Sequence, residues 1–160
     1  MTSFSDNSAI AFYFDLETTG LNPYTDSIIE IGITTMDCSK SLSILIQPSH
    51  PISSNIEYLT GIKQSDLEKE GVDLESALRK LHSFIRENVS SPKQKIWLIG
   101  HNSIGFDRVF YLRALETTKM HPIRPTIQWF DTLYLAKYAL PQMNSFKLIS
   151  IAKYLKKANS

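Results

Sequence analysis

The chain has 160 residues and a mass of 18.2 kDa, the size of one domain with room for a proper hydrophobic core. Its 42% hydrophobic and 21% charged content is that of a globular domain, which excludes a disordered or fibrous chain. A formal net charge of +1 excludes a strongly polybasic binder, and the single Cys38 excludes both an internal disulfide and a metal site built of thiolates alone.

The N-terminal run MTSFSDNSAIAFYF carries acids and no basic segment, so no signal peptide is expected there. No apolar stretch approaches the roughly 20 residues that cross a bilayer. Together with the free thiol this points to an intracellular setting, without distinguishing cytoplasm from nucleus. Residues 1–8 are polar and predict a disordered N-terminus, followed by a single domain over 9–157.

Residues 9–16 read as a first strand, buried on both faces, and they lead into YFDLETTGL at 13–21. Asp15 and Glu17 stand one residue apart in that apolar run, and side chains at i and i+2 of a strand share a face. Acids are depleted from such strands, and a buried charge costs several kcal/mol unless a cation meets it. No adjacent residue is Lys or Arg, so a bound metal ion is one answer. The other is that the acids lie just past the strand end and cap the turn at Thr18-Thr19-Gly20. Asn22 to Asp26 has turn composition. Ile28 to Thr34 and Leu42 to Gln47 read as second and third strands, giving an antiparallel meander.

Residues 49–62 predict a long loop, and Asp66 to Lys69 a short helix. Leu74, Ala77, Leu78, Leu81, Phe84 and Ile85 follow helical spacing, with Asp73 suited to cap them. Ile96 to Gly100 is a short buried strand, expected parallel to the first and ending at His101-Asn102. Residues 105–117 return to helical spacing. Thr126 to Phe130 predicts a last strand, followed by helices at 131–139 and 145–157. The order implies a mixed sheet covered by helices. Asp107 alone suits the start of a helix as well as it suits a metal, and His101 alone suits a structural role.

Taken together, FDLETTGL and GHNSIGFDRVF resemble the first two motifs of the DEDD superfamily, the DnaQ-like 3′–5′ exonucleases. YLTGI at 58–62 and FDTLYLAKYALPQMNSFKLISIAKYL at 130–155 are similar to further stretches of that family. The resemblance implies an α/β ribonuclease H-like fold, an antiparallel meander plus parallel strands flanked by helices. It also implies two divalent ions, Mg²⁺ or Mn²⁺, that clamp a scissile phosphate. Asp15, Glu17 and Asp107 would be the metal ligands and catalytic acids, converging on one concave site. Main-chain groups at Thr18 and Thr19 would meet the terminal nucleotide. Leu21, Leu59 and Phe106 would contact its base and sugar, with His101 and Asn102 supporting the pocket. The substrate implied is a single-stranded DNA or RNA 3′ end, hydrolysed to nucleoside 5′-monophosphates.

One element of the family pattern is missing. The third motif supplies a fourth carboxylate and a histidine or tyrosine base, yet no Asp, Glu or His follows Asp131. Asp131 is either a substitute ligand or a helix N-cap. The domain thus reads as truncated before the third motif, and its hydrolysis as impaired, unless a second chain completes the site. The alternative is an inactive relative that binds nucleic acid or protein. Lys137, Lys147, Lys153, Lys156 and Lys157 form either a solvated helix face or a phosphate-facing patch.

Overall fold

The computed structural model describes residues 9–91, 94–123 and 127–158. The expected disordered segment 1–8 and Thr126 of the last predicted strand lie outside the described residues. Five strands form one sheet: β1 (Ile10–Thr18), β2 (Ile28–Thr35), β3 (Ser41–Leu45), β4 (Ile96–Gly100) and β5 (Ile127–Asp131). Their order is β3-β2-β1-β4-β5, with β1 at the centre. The first three strands pair antiparallel, while β4 runs parallel to β1 and β5 parallel to β4. This is the mixed sheet of a ribonuclease H-like fold.

Alternation along β1 separates its two jobs. Phe12, Phe14 and Leu16 point into the core, whereas Tyr13, Asp15 and Glu17 point to the opposite face. The core face is covered by α3 (Leu74–Glu87) and α4 (Asp107–Thr118). The Asp73 side chain caps α3 by accepting the Ser76 N–H at 2.9 Å, and Ala77, Leu78, Leu81 and Ile85 of its apolar stripe are fully buried. Trp129 of β5 packs edge-on to Phe14 at 5.5 Å and tilted against Tyr111 of α4 at 5.9 Å, tying the parallel half of the sheet to β1.

The other face corrects the expectation that β1 is buried on both sides. Ser41, Thr34, Tyr13, Ile99 and Phe130 form one continuous row across the five strands, and Tyr13 is 43% exposed. α3 and α4 are committed to the core side, and on this face Leu148 at the start of the C-terminal helix borders a groove with Tyr13, Thr34 and Ile99. The acids on this face are therefore reached from solvent.

The predicted loop at 49–62 contains a helix, α1 (Ser54–Thr60), capped by the Ser53 side chain and ended by Gly61 at φ 77°. It has no buried residue, so the sequence shows little apolar periodicity to mark it. With α2 (Gln64–Glu70) it borders a small second core of Ile29, Ile62 and Leu67. After β5 come α5 (Thr132–Ala139) and α6 (Leu148–Ala158), where the five lysines from Lys137 to Lys157 are exposed. Among the described residues, no helix is long and apolar enough to cross a membrane.

Candidate active site

The site begins where β4 stops. Beyond the pair Tyr13–Ile99, β1 has no strand partner on that side, so its next N–H groups need other acceptors. Asp107, the first residue of α4, takes this place: its Oδ1 accepts the Leu16 N–H at 2.9 Å. A residue far along the chain is thus set between the positions of Asp15 and Glu17, and it is 1% exposed. The turn from β4 to α4 can approach this closely because Gly100 has no side chain. A Cβ there would lie 2.8 Å from the Phe14 carbonyl oxygen and 2.7 Å from Ser103 Cβ.

Desolvation and like charge outweigh the relief that the acids receive. Glu17 stands directly opposite Glu30 of β2, a cross-strand pair of like charges that is destabilising by itself. Desolvation by the surrounding protein, followed by the Glu30 charge, raises the Asp15 carboxyl above its ordinary range, with the Leu16 N–H and His101 offsetting part. Glu17 is raised by desolvation, then by Asp15 and Glu30. Burial, then Asp15, pushes Asp107 up to about 7. The ion pairs Glu57–Lys63, Lys69–Glu70, Glu75–Arg79 and Arg113–Glu116 all lie elsewhere. Glu30, which the sequence reading missed, belongs to this cluster; its one signal was a lone acid inside Ile28-Ile29-Glu30-Ile31.

A donor set of carboxylate oxygens under mutual repulsion, with no basic partner among those ion pairs, fits a hard divalent cation. As they are placed, no three Asp, Glu, His or Cys side chains of the described residues are grouped into a ready coordination set. Asp15, Glu17 and Asp107 are coupled through charge and through Leu16, which is looser than the convergence expected of them. Asp15 also borders a groove of about 460 Å³ along the open sheet face, with Tyr13, Gly32, Thr34, Ile99, His101 and Leu148 among its lining residues.

The remaining residues sort by what holds them. His101 Nε2 donates to the Phe146 carbonyl at 2.7 Å, and its Nδ1 lies 3.0 Å from Thr132 Oγ1, so both ring nitrogens are engaged within the protein. Asn102 sits in the left-handed region at φ 64° and shapes the turn. Thr18 Oγ1 donates to the Gly20 carbonyl, while Thr19 Oγ1 accepts the Ser27 N–H, so both hydroxyls are spent on the turn after β1. Phe106 packs on Phe110 at 5.0 Å between ring centroids and against the core. Leu21 and Leu59, by contrast, stand in solvent at 84% and 68% exposure. Asp131 caps α5 by accepting the Leu133 N–H at 2.9 Å, and it also accepts from Asn102 and Ile104.

Comparison with known proteins bears on the same stretch of chain. The RNase_T family model, described as Exonuclease, matches residues 12–160. The DNA polymerase III PolC-type of Ureaplasma parvum serovar 3 is 31% identical over 152 residues, covering 92% of this chain and 10% of that protein. That of Thermotoga petrophila is 33% identical over 155 residues, covering 94% of this chain and 10% of the relative. Among solved structures, apo exonuclease I superposes with a TM-score of 0.73 at 19% identity, over 91% of this chain and 37% of that one. E. coli exonuclease I in complex with a dT13 oligonucleotide gives a TM-score of 0.71 at 19% identity, over 91% of this chain and 35% of that one. The chain spans about a tenth of the PolC-type relatives and about a third of exonuclease I. The family match covers the sheet, the acid-bearing strand and the turn that delivers Asp107, and the chain belongs to the DEDD superfamily of DnaQ-like 3′–5′ exonucleases.

Proposed function

We propose that this domain hydrolyses the terminal phosphodiester of single-stranded nucleic acid from the 3′ end, releasing nucleoside 5′-monophosphates with Mg²⁺ or Mn²⁺. The observation that carries the reading is the acid cluster on β1 and α4. Asp15 and Glu17 share one strand face, Asp107 is bonded to the backbone between them, and their charges are unrelieved by any of the ion pairs described. When bound, divalent ions would activate a water and stabilise the leaving oxygen. Asp15, Glu17 and Asp107 would hold them. Main-chain groups at Thr18 and Thr19 would orient the terminal nucleotide, and Leu21, Leu59 and Phe106 would give its base an apolar surface that reads any sequence.

His101 supports this pocket rather than acting as the base, since its Nε2 proton is committed to a carbonyl. Residues 132–160 contain no Asp, Glu or His, so within them no third-motif side chain is present to take the proton from the attacking water. A missing general base costs about 10²–10⁴-fold in rate. For residues 1–160 on their own, we expect slow hydrolysis with retained strand binding. A second chain that completes the site would approach along the open groove beside Asp15.

The test is release of mononucleotides from a labelled single strand in Mg²⁺ or Mn²⁺, with Asp15→Asn as the blank. Slow, metal-dependent release lost in Asp15→Asn supports the proposal. Strand binding with no release above the Asp15→Asn blank would favour an inactive nucleic-acid-binding relative, and absence of strand binding would favour a protein-interaction role.

A further inference from the structure

We infer that Asp131 is a positioning residue whose carboxylate fixes the β4–α4 turn and thereby the placement of Asp107. This rests on the reading of Asp107 as a cation ligand. Asp131 ends β5, is paired in parallel register with Gly100, and is 5% exposed. One oxygen accepts the N–H groups of Asn102 and Leu133, both at 2.9 Å, and the other accepts the N–H of Ile104 at 3.0 Å. Capping α5 needs only the Leu133 bond. The two bonds to the neighbouring turn exceed what a cap requires.

Those two bonds act on the segment that feeds α4. Asn102 holds a left-handed backbone, which asparagine tolerates better than other non-glycine residues, and its N–H is thereby presented to Asp131. The Ser103 side chain adds a bond to the Phe130 carbonyl at 3.3 Å. The carbonyls of Asn102 and Ser103 then accept the N–H groups of Phe106 and Arg108, on either side of Asp107. From Asp131 to Asp107 the chain of contacts is unbroken: carboxylate, turn, first turn of α4, and the Asp107 bond to Leu16. An ionised acceptor makes stronger bonds to N–H than a neutral one. With three N–H groups on its two oxygens, Asp131 is also poorly disposed to serve as a ligand itself.

Two variants separate the cap from the clamp. Asp131→Ser keeps a good helix cap but offers one short oxygen in place of two. Asp131→Asn puts an amide N–H₂ where one accepting oxygen stood, against the N–H it served. Mn²⁺ affinity of the metal-free protein, measured by calorimetry, should weaken at least tenfold in both, within the range for partners that orient ligands. The Leu16 amide, whose acceptor is Asp107, should exchange its hydrogen at least tenfold faster in both variants without metal. Asp73→Ala, which removes a cap remote from the turn, should leave both readouts within twofold of the parent. Circular dichroism identifies the variants that fold, and either one suffices. Parent-like Mn²⁺ affinity and Leu16 exchange in a folded Asp131 variant would overturn the positioning role alone. A parent chain with no Mn²⁺ binding would overturn the cation-site reading and, with it, this inference.

Discussion

The carboxyl of Asp107, held near 7 by burial and by Asp15, makes stability depend on pH in a direction that can be worked out. Its ordinary value is 3.8, so the folded state binds this proton more tightly than the unfolded chain does. The stabilising contribution is full below about pH 4 and is lost as pH rises toward about 7, where the folded carboxyl also ionises. Asp107→Asn keeps an oxygen for the Leu16 N–H without the charge. In metal-free buffer with a chelator, the melting temperature of the parent should fall relative to Asp107→Asn between pH 4 and 7, then run parallel above it. Parallel curves throughout would show that Asp107 titrates as an ordinary acid. At this scale the sequence singles out Asp15 and Glu17, since acids in an apolar run demand a reason, while Asp107 stands out only through the resemblance to the family motif. It did not reveal Glu30, because pairing register decides which acid faces Glu17, and register is a property of two strands. The same holds for Asp131: its role as a cap is local and readable, while its bonds to Asn102 and Ile104 depend on β5 lying beside β4.

Elements were legible in proportion to the apolar surface they bury. All five strands and the helices α3 and α4 carry clear patterns, and their predicted bounds differ from the observed ones by at most two residues. α1 has no fully buried residue and sets only Ile56 partly against the second core, so a seven-residue helix leaves chiefly its Ser53 cap and Gly61 stop as signals. The joint between β1 and β4 supplies the test at this scale. Gly100→Ala would force a Cβ against the Phe14 carbonyl, a backbone atom that can yield only if the two strands part. Overpacking of that kind costs about 1–3 kcal/mol. Gly105→Ala lies in the same turn region, where the nearest atom to an added Cβ is Asn102 Oδ1 at 3.5 Å. Urea unfolding should therefore show a clear loss for Gly100→Ala and a change within about 0.5 kcal/mol for Gly105→Ala. Equal losses would mean that the close approach at Gly100 relaxes freely.

The molecule as a whole is a sheet with one covered face and one open face, and neighbouring residues of β4 report on the two. Leu98 is fully buried under the helices, and the next residue, Ile99, lies in the row that includes Tyr13 and Phe130. This asymmetry was not legible in the sequence, because an apolar run such as Ile96 to Ile99 reads as buried on both sides. Truncating Leu98 to Ala removes packed atoms and leaves a cavity, which costs about 2–5 kcal/mol. At Ile99 the groove beside the side chain already admits solvent, so the same truncation forfeits only part of the transfer term and creates no closed void. Urea unfolding of the isolated chain should place Leu98→Ala well below the parent and Ile99→Ala within about 1.5 kcal/mol of it. Sedimentation at two protein concentrations should accompany the measurement, since exposed apolar rows invite association. A large, concentration-independent loss in Ile99→Ala would show the face to be packed in the monomer, and the acid cluster beside it would then be closed to substrate as well.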